Sequence, residues 1–205
     1  MADAVKPDVD EGAEMLARHI AGDERAFEEL VRSFGGSVYG YLYRAGIDKP
    51  AADDLFQETF LRVHKAARRF DSRHPFRVWL FTIAHNLIRS HLRKKKVRRV
   101  LVGWFRRPAA SDSHDDWQSL DPADESPGPQ ERVQARAEVK WLEKALNDLP
   151  EGPRRALILT QVEGLAYAEA SRVLDVPVPT LKTWIRRGRL ALTAALEEAQ
   201  RESES

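Results

Sequence analysis

The chain is 205 residues long, 42% hydrophobic and 32% charged, with a formal net charge of +1. So high a charged fraction fits small helical units with wide solvated faces better than one large core. Cysteine is absent, which excludes disulfides, thiolate metal sites and cysteine nucleophiles, and no apolar run approaches membrane-spanning length.

The small net charge hides an asymmetry. Arg89 to Arg107 holds nine Lys or Arg residues and no acid, whereas Ser111 to Glu131 holds seven acids and no Lys or Arg. Adjacent basic and acidic blocks imply two partners, or one partner with two faces. Residues 1–10 are acidic and lack the basic-then-apolar order of a signal peptide. They are expected to be disordered, and the protein is expected to be cytoplasmic with no direct membrane insertion.

Four helical segments follow. The first, Glu11 to Ala21, carries Met15, Leu16 and Ile20. Asp23 can cap a second, running to about Arg44, with Phe27, Leu30, Val31, Phe34, Val38, Tyr41 and Leu42 at helical spacing; Gly35-Gly36 should weaken or kink it. Gly46-Ile47-Asp48 makes a turn, and Pro50 suits the first position of a third helix to about Phe70. Its apolar positions Leu55, Phe56, Thr59, Phe60, Val63, Ala66, Ala67 and Phe70 recur at three and four. After a loop over Asp71 to His74, Pro75 starts a fourth helix through about Lys96.

The pattern then breaks. Pro108, Pro122, Pro127 and Pro129 stand among Ser, Asp and Gly, the composition of a linker. Its first part carries Val100, Leu101, Val102, Trp104 and Phe105, which fit either a helical extension or a docking segment. Helices resume at about Glu131, with a stripe of Val139, Leu142, Leu146 and Leu149. Gly152-Pro153 opens another with Leu157, Ile158 and Val162, ended by Gly164. A short helix spans Tyr167 to Leu174, and a last one runs from near Pro179 to about Ala199. The fold class read from this is all-α: two small helical domains, over residues 11–96 and 131–199, joined by a flexible linker over 97–130 and followed by a tail at 200–205.

Glu163 to Leu192 has the layout of a helix-turn-helix. The short helix packs through Ala170, Val173 and Leu174, Asp175-Val176-Pro177 makes the turn, and the last helix buries Leu181, Ile185 and Leu192. Its other side presents Thr180, Lys182, Thr183, Arg186, Arg187 and Arg189. A major groove admits one helix; Arg and Lys donate to guanine, and Thr meets a thymine methyl or a phosphate. A solvated basic helix is the plainer reading of the charges, but the order of short helix, apolar turn and basic helix favours DNA. Trp184 fits either packing or the surface, with packing preferred.

In the N-terminal unit, Asp54, Gln57 and Glu58 share one face of the third helix, with Asp53 beside them. Acids at a helix start are favoured by the dipole alone, and no further ligand completes a metal set. On the fourth helix, Leu80, Ile83, Ala84, Leu87 and Ile88 form the buried side. Trp79, Thr82, Asn86, Arg89 and Arg93 recur on another side, flanked by His85. Such a row suits nucleic acid: aromatics stack on unpaired bases, amides read base edges and guanidinium groups hold phosphates. His64, His74, His85 and His91 form no metal-ligand pattern, so no metal or cofactor is expected.

These units, in this order, resemble the extracytoplasmic-function sigma factors, the minimal two-domain group of the sigma-70 family. The likeness is carried by Ala52-Asp53-Asp54-Leu55-Phe56-Gln57-Glu58-Thr59-Phe60-Leu61-Arg62-Val63, by Pro75-Phe76-Arg77-Val78-Trp79-Leu80-Phe81-Thr82-Ile83-Ala84-His85-Asn86, and by Leu149-Pro150 through Leu190. The resemblance implies a non-enzymatic RNA polymerase subunit with a four-helix sigma domain 2 and a helix-turn-helix sigma domain 4. By resemblance, Asp53, Asp54, Gln57 and Glu58 would dock on the clamp helices of the largest polymerase subunit, and domain 4 on the flap of the second-largest. The promoter −10 element would be recognised and opened by Phe70, Asp71, Ser72, Arg73, Phe76, Trp79, His85, Asn86, Arg89 and Arg93. The −35 element would be read by Thr180, Lys182, Thr183, Arg186, Arg187 and Arg189. An anti-sigma factor is an expected partner beside core polymerase and promoter DNA. The acidic linker segment Asp112 to Glu125 would thread the polymerase channels or serve as a plain tether.

The sequence departs from the family pattern at four positions in the C-terminal unit. Asp175 stands for the usual turn glycine, and Asp tolerates the left-handed region better than most residues. Pro179 stands for a glycine, and Trp184 and Arg186 occupy positions with other usual residues, so the −35 preference should be individual to this chain. Two other functions use a helix-turn-helix. A stand-alone helix-turn-helix regulator would bind duplex without polymerase. A recombinase-type enzyme would need a nucleophile with arginines around it, and Tyr39, Tyr41 and Tyr43 have no such set.

Overall fold

The computed structural model describes residues 10–103, 141 and 144–203. Among the described residues every regular element is helical. Three helices, α1 (Glu11–Ile20), α2 (Glu24–Arg44) and α3 (Lys49–Ala66), each start at an aspartate. The reason is the same each time: the first turn leaves N–H groups without partners, and a short carboxylate can accept from them. Asp10 accepts from the Ala13 N–H, Asp23 from those of Arg25 and Ala26, and Asp48 from that of Ala51.

Asp10 departs from the expectation of a disordered leading stretch. Its second oxygen accepts the backbone N–H of Phe76, so one carboxylate caps α1 and the start of α4 (Phe76–Gly103). Asp48 has a similar double use, since its other oxygen meets Lys95 Nζ of α4 at 3.1 Å, which holds the Asp48 carboxyl below its ordinary range.

The glycine pair expected to weaken or kink α2 does not break it. The helix runs unbroken through Gly35-Gly36, because burial of Leu30, Phe34, Val38 and Tyr41 outweighs the ~1 kcal/mol that each glycine costs a helix. Gly35 is itself buried, and a methyl there would lie 3.5 Å from the Phe56 ring of α3, an ordinary packing distance. The fourth helix extends to Gly103, beyond the expected end near Lys96. Trp104, Phe105, the rest of the linker and most of the helix expected from Glu131 lie outside the described residues.

The C-terminal unit comprises a helical stretch over 144–148, then α5 (Glu151–Leu157), a π-helical turn (Ile158–Val162), α6 (Tyr167–Leu174) and α7 (Val178–Ser203). Gly164 (φ 69°) ends the π turn and Asp175 (φ 55°) ends α6, both in the left-handed region. The turn that the sequence assigned to Asp175 is therefore built as expected, with the residue type that tolerates it.

The two units are packed on each other. Helix α6 lies along α4, and the π turn lies against α2. Buried side chains from Leu16 to Ile185 form one contiguous apolar cluster across both.

Candidate nucleic-acid and polymerase interfaces

The first surface is on α3. Asp53, Asp54 and Gln57 are exposed and Glu58 half-buried. Tyr39 Oη donates to Asp53 Oδ1 at 2.8 Å. Burial, with the Asp53 bond adding to it, pushes the Tyr39 phenol up to about 12, so it stays a donor at neutral pH. Glu58 pairs with Arg62 one turn later at 2.6 Å. Asp54 and Gln57 are exposed beside them, with Leu61, 44% exposed, one turn beyond Gln57. An acidic and amide face around an exposed leucine can dock a basic, partly apolar helix.

The second surface is the loop before α4 and the helix itself. Phe70, Phe76 and Trp79 form an aromatic cluster, with ring centroids 5.0 Å apart for Phe70–Trp79 and 5.8 Å for Phe70–Phe76. Phe70 and Trp79 are half-buried, whereas Phe76 is 0% exposed, set against Phe34 and over Gly12. Phe76 is thus a core residue here, and its ring is not offered to a ligand. In the loop, Asp71 accepts from both the backbone and the guanidinium of Arg73. Ser72 and Arg73 are exposed. Along α4, Asn86, Arg89 and Arg93 are exposed and Thr82 is half-buried with its hydroxyl on the Val78 carbonyl. The row of aromatic, amide and guanidinium groups expected from the sequence stands on one side of the helix.

His85 does not stand in that row. It is 5% exposed, with Nδ1 3.0 Å from the Tyr41 hydroxyl. Burial first, then the nearby Arg155 and Arg89 charges, push it from the ordinary 6.5 down to about 4, so the ring is neutral. Part of the cause lies in the other unit, which supplies Arg155. His85 lines a cleft of about 190 Å³ with Glu151, Gly152, Arg155, Leu174 and Trp184. A sequence pattern on α4 alone places His85 at the flank of the buried stripe and contains no sign of the helices that cover it.

The third surface is α7. Leu181 and Ile185 are buried, and Leu192 is partly buried. Lys182, Thr183, Arg186, Arg187 and Arg189 are exposed, and Thr180 is half-buried. Arg189 is held by Gln161, Nη2 donating to Oε1 at 2.7 Å, and Thr183 bonds the Pro179 carbonyl. Lys182, Arg186 and Arg187 are exposed and form a cationic strip along the helix. Trp184 lies on the inner side, over Gly152.

Arg77 and Glu163 are functional candidates that the pattern reading did not find. Arg77 leaves α4 and reaches the end of the π turn; no local spacing could have predicted it. The Glu58–Arg62 pair, by contrast, has the four-residue spacing at which such pairs form. Among the described residues no group of three or more His, Cys, Asp or Glu could hold a metal ion, and no helix is long and apolar enough to cross a membrane.

The comparisons with known proteins fall on these surfaces. The profile of Sigma-70 region 2 matches residues 30–98, and that of Sigma-70, region 4 matches residues 140–192. The chain is 33% identical over 183 residues to RNA polymerase sigma factor CnrH of Cupriavidus metallidurans, covering 89% of this chain and 93% of that protein. The chain belongs to the sigma-70 family, in its extracytoplasmic-function group.

Similarity to ECF RNA polymerase sigma factor SigC of Mycobacterium tuberculosis is at the same level, 33% over 190 residues, covering 92% of this chain and 93% of that one. The solved structure of CnrH in complex with the cytosolic domain of CnrY superposes with a TM-score of 0.63 at 27% identity, covering 92% of this chain and 98% of that one. As an RNA polymerase sigma factor, the chain acts in transcription initiation through DNA-binding helical domains. The α3 and α4 surfaces belong to the region 2 match and the α7 surface to the region 4 match.

Proposed function

We propose that this sigma factor works by binding alone, in the cytoplasm, with separate surfaces for four tasks. Asp53, Asp54, Gln57 and Glu58 dock the clamp helices of core polymerase, and the C-terminal unit docks the flap. The loop at Phe70, Asp71, Ser72 and Arg73, with Trp79, Asn86, Arg89 and Arg93, captures unpaired −10 bases; unstacking costs a few kcal/mol and is offset by aromatic stacking and amide contacts. Lys182, Thr183, Arg186 and Arg187 enter the −35 major groove. The working boundaries are residues 11–96 for the first domain, 97–130 for the linker and 131–199 for the second.

The observation that carries this reading is the free outer side of α7. Its cationic residues are exposed along a helix whose inner side is packed, and Lys182 to Arg189 lie within the region 4 match. Elements named −35 and −10 are separated by about 25 base pairs, or about 85 Å of duplex. In this structure Trp184 of α7 and His85 of α4 line one cleft. The two units must therefore part before both elements can be held. An anti-sigma factor is proposed as a further partner, on the strength of the likeness to CnrH, whose solved structure holds the cytosolic domain of CnrY.

The test is promoter-dependent run-off transcription with purified core polymerase. Start-site-specific transcripts are expected only when the chain is present. Specific duplex binding by the chain alone, with no effect on where polymerase starts, would favour a stand-alone helix-turn-helix regulator.

A further inference from the structure

Helix α7 is seated on α5 by two glycines, one on each helix. A methyl group at Gly152 of α5 would lie 2.9 Å from Trp184 Cε2 and 3.0 Å from Cδ2 and Cζ2. A methyl group at Gly188 of α7 would lie 2.6 Å from Leu157 Cδ1 and 3.2 Å from Leu157 Cγ. Each glycine is therefore a hole for a knob on the facing helix: the Trp184 indole sits over Gly152, and Leu157 fills the space at Gly188.

Backbone conformation does not explain these glycines. Neither has a positive φ, and both lie inside helices, where alanine is the better helix former. Packing is the remaining reason. Trp184 and Gly188 are one turn apart on the same side of α7, with Leu181 and Ile185 buried beside them. The outward residues Lys182, Thr183, Arg186 and Arg187 interleave with these inward ones in sequence. A helix is stiff at this length, so any change in the seat moves the outward row with it.

We infer that Gly152 and Trp184 are a matched positioning pair that sets the height and tilt of α7, and hence where its basic row meets the −35 duplex. Neither residue needs to touch DNA. The pair acts through Lys182, Arg186 and Arg187, and the inference rests on the reading of α7 as the helix that enters the groove. An added methyl at Gly152 lifts the indole, and with it the first turns of α7, away from α5. Removing the indole leaves room for the methyl, so the two changes should compensate.

The experiment uses the full chain with core polymerase on templates with one fixed −10 element and varied −35 elements. The readout is the ratio of initiation on the preferred −35 element to that on a scrambled one. Gly152→Ala is expected to lower this ratio by about tenfold. Trp184→Ala is expected to shift the preferred sequence, and the double variant to fall within about threefold of Trp184→Ala rather than showing the product of the two losses. Core affinity should stay near wild type, and the ratios are read at a temperature at which each variant is fully folded, because overpacking at Gly152 and loss of the indole both lower the melting temperature; a merely structural defect would lower initiation on both −35 elements alike. A wild-type ratio for Gly152→Ala, or losses that multiply in the double variant, would overturn the pairing. Arg187→Ala separates this from the underlying reading: if it leaves −35 dependence intact, α7 does not read the element at all; if it removes that dependence while Gly152→Ala is silent, only the matched pair fails. Should Gly152→Ala not fold, Trp184→Phe carries the test, because it thins the ring and leaves the glycine in place. A shifted −35 preference supports the pairing, and an unchanged one overturns it.

Discussion

Arg77 and Glu163, 86 residues apart in sequence, pin the two helical units together. The Arg77 guanidinium donates to the Glu163 carbonyl at 2.8 Å and meets its carboxylate at 3.3 Å. The Glu163 side chain is 4% exposed. Burial pushes its carboxyl up, while Arg77, a bond from Ser37 and the Arg44 charge act the other way. Arg77→Ala should leave a buried carboxylate short of one partner. The expected cost is about 1–2 kcal/mol, below the 3–5 kcal/mol of a fully buried pair because Arg77 itself is partly in water. Urea unfolding would measure that loss, and solution scattering should show a larger radius of gyration as the units part. An unchanged scattering profile would mean that the pair does not hold the docking.

His85 gives the docked state a pH dependence. In the folded chain it is held neutral, down to about 4, by burial and by the Arg155 and Arg89 charges; unfolded, it returns to the ordinary 6.5. Between these values the unfolded chain binds the proton first. The stability tied to this group is therefore complete above pH 6.5, falls as pH is lowered towards 4, and levels off below that. The full displacement corresponds to roughly 3 kcal/mol. His85→Asn keeps a polar partner for Tyr41 but cannot titrate. Urea midpoints of both forms across pH 4–7 should converge as the wild type weakens, while the slope from Glu163 cancels in the difference. Parallel curves would show that His85 is not shielded by the second unit.

What the sequence made legible was local. The α6–turn–α7 unit followed from periodicity, with Asp175 in the left-handed region marking the turn. The outward Lys182–Arg187 row followed because Leu181 and Ile185 fix the phase of the helix. Phe76 was harder. It is the first residue of α4, next to a polar loop, and one residue has no phase of its own; its burial depends on Phe34 and Gly12 from other helices. His85 and Arg77 share that difficulty on a larger scale, because what covers them comes from the other unit. Gly152 carries no outward sign of its role until the indole above it is seen.

Glu58→Lys tests the α3 surface. Glu58 is tied to Arg62 on the surface of the same helix, a pair worth at most about 1 kcal/mol. Reversing its charge should therefore leave the melting temperature nearly unchanged. If this face meets the clamp helices, affinity for core polymerase should fall by at least about tenfold, since a like charge placed in an interface costs several kcal/mol. Fluorescence titration of labelled chain with core polymerase measures it, and normal affinity would remove Glu58 from the interface.

Phe76 and Asn86 make opposite predictions from the same stretch of chain. Phe76 is 0% exposed and touches Phe34, Phe70 and Trp79 in the core. Truncation to alanine should cost about 3–5 kcal/mol of stability, and any loss of transcription should track the fraction unfolded. Asn86 is exposed on α4, beside half-buried Trp79 and Thr82. Asn86→Ala should leave stability within about 0.5 kcal/mol of wild type and weaken capture of an unpaired −10 base by about 1–3 kcal/mol. Urea unfolding and permanganate footprinting of the open promoter, run on both variants, separate the two cases. If Asn86→Ala opened the promoter as well as the wild type while Phe76→Ala failed only there and stayed fully folded, the assignment would be reversed: the aromatic start of α4 would be the base-holding element, and the amide on its outer side a solvated residue.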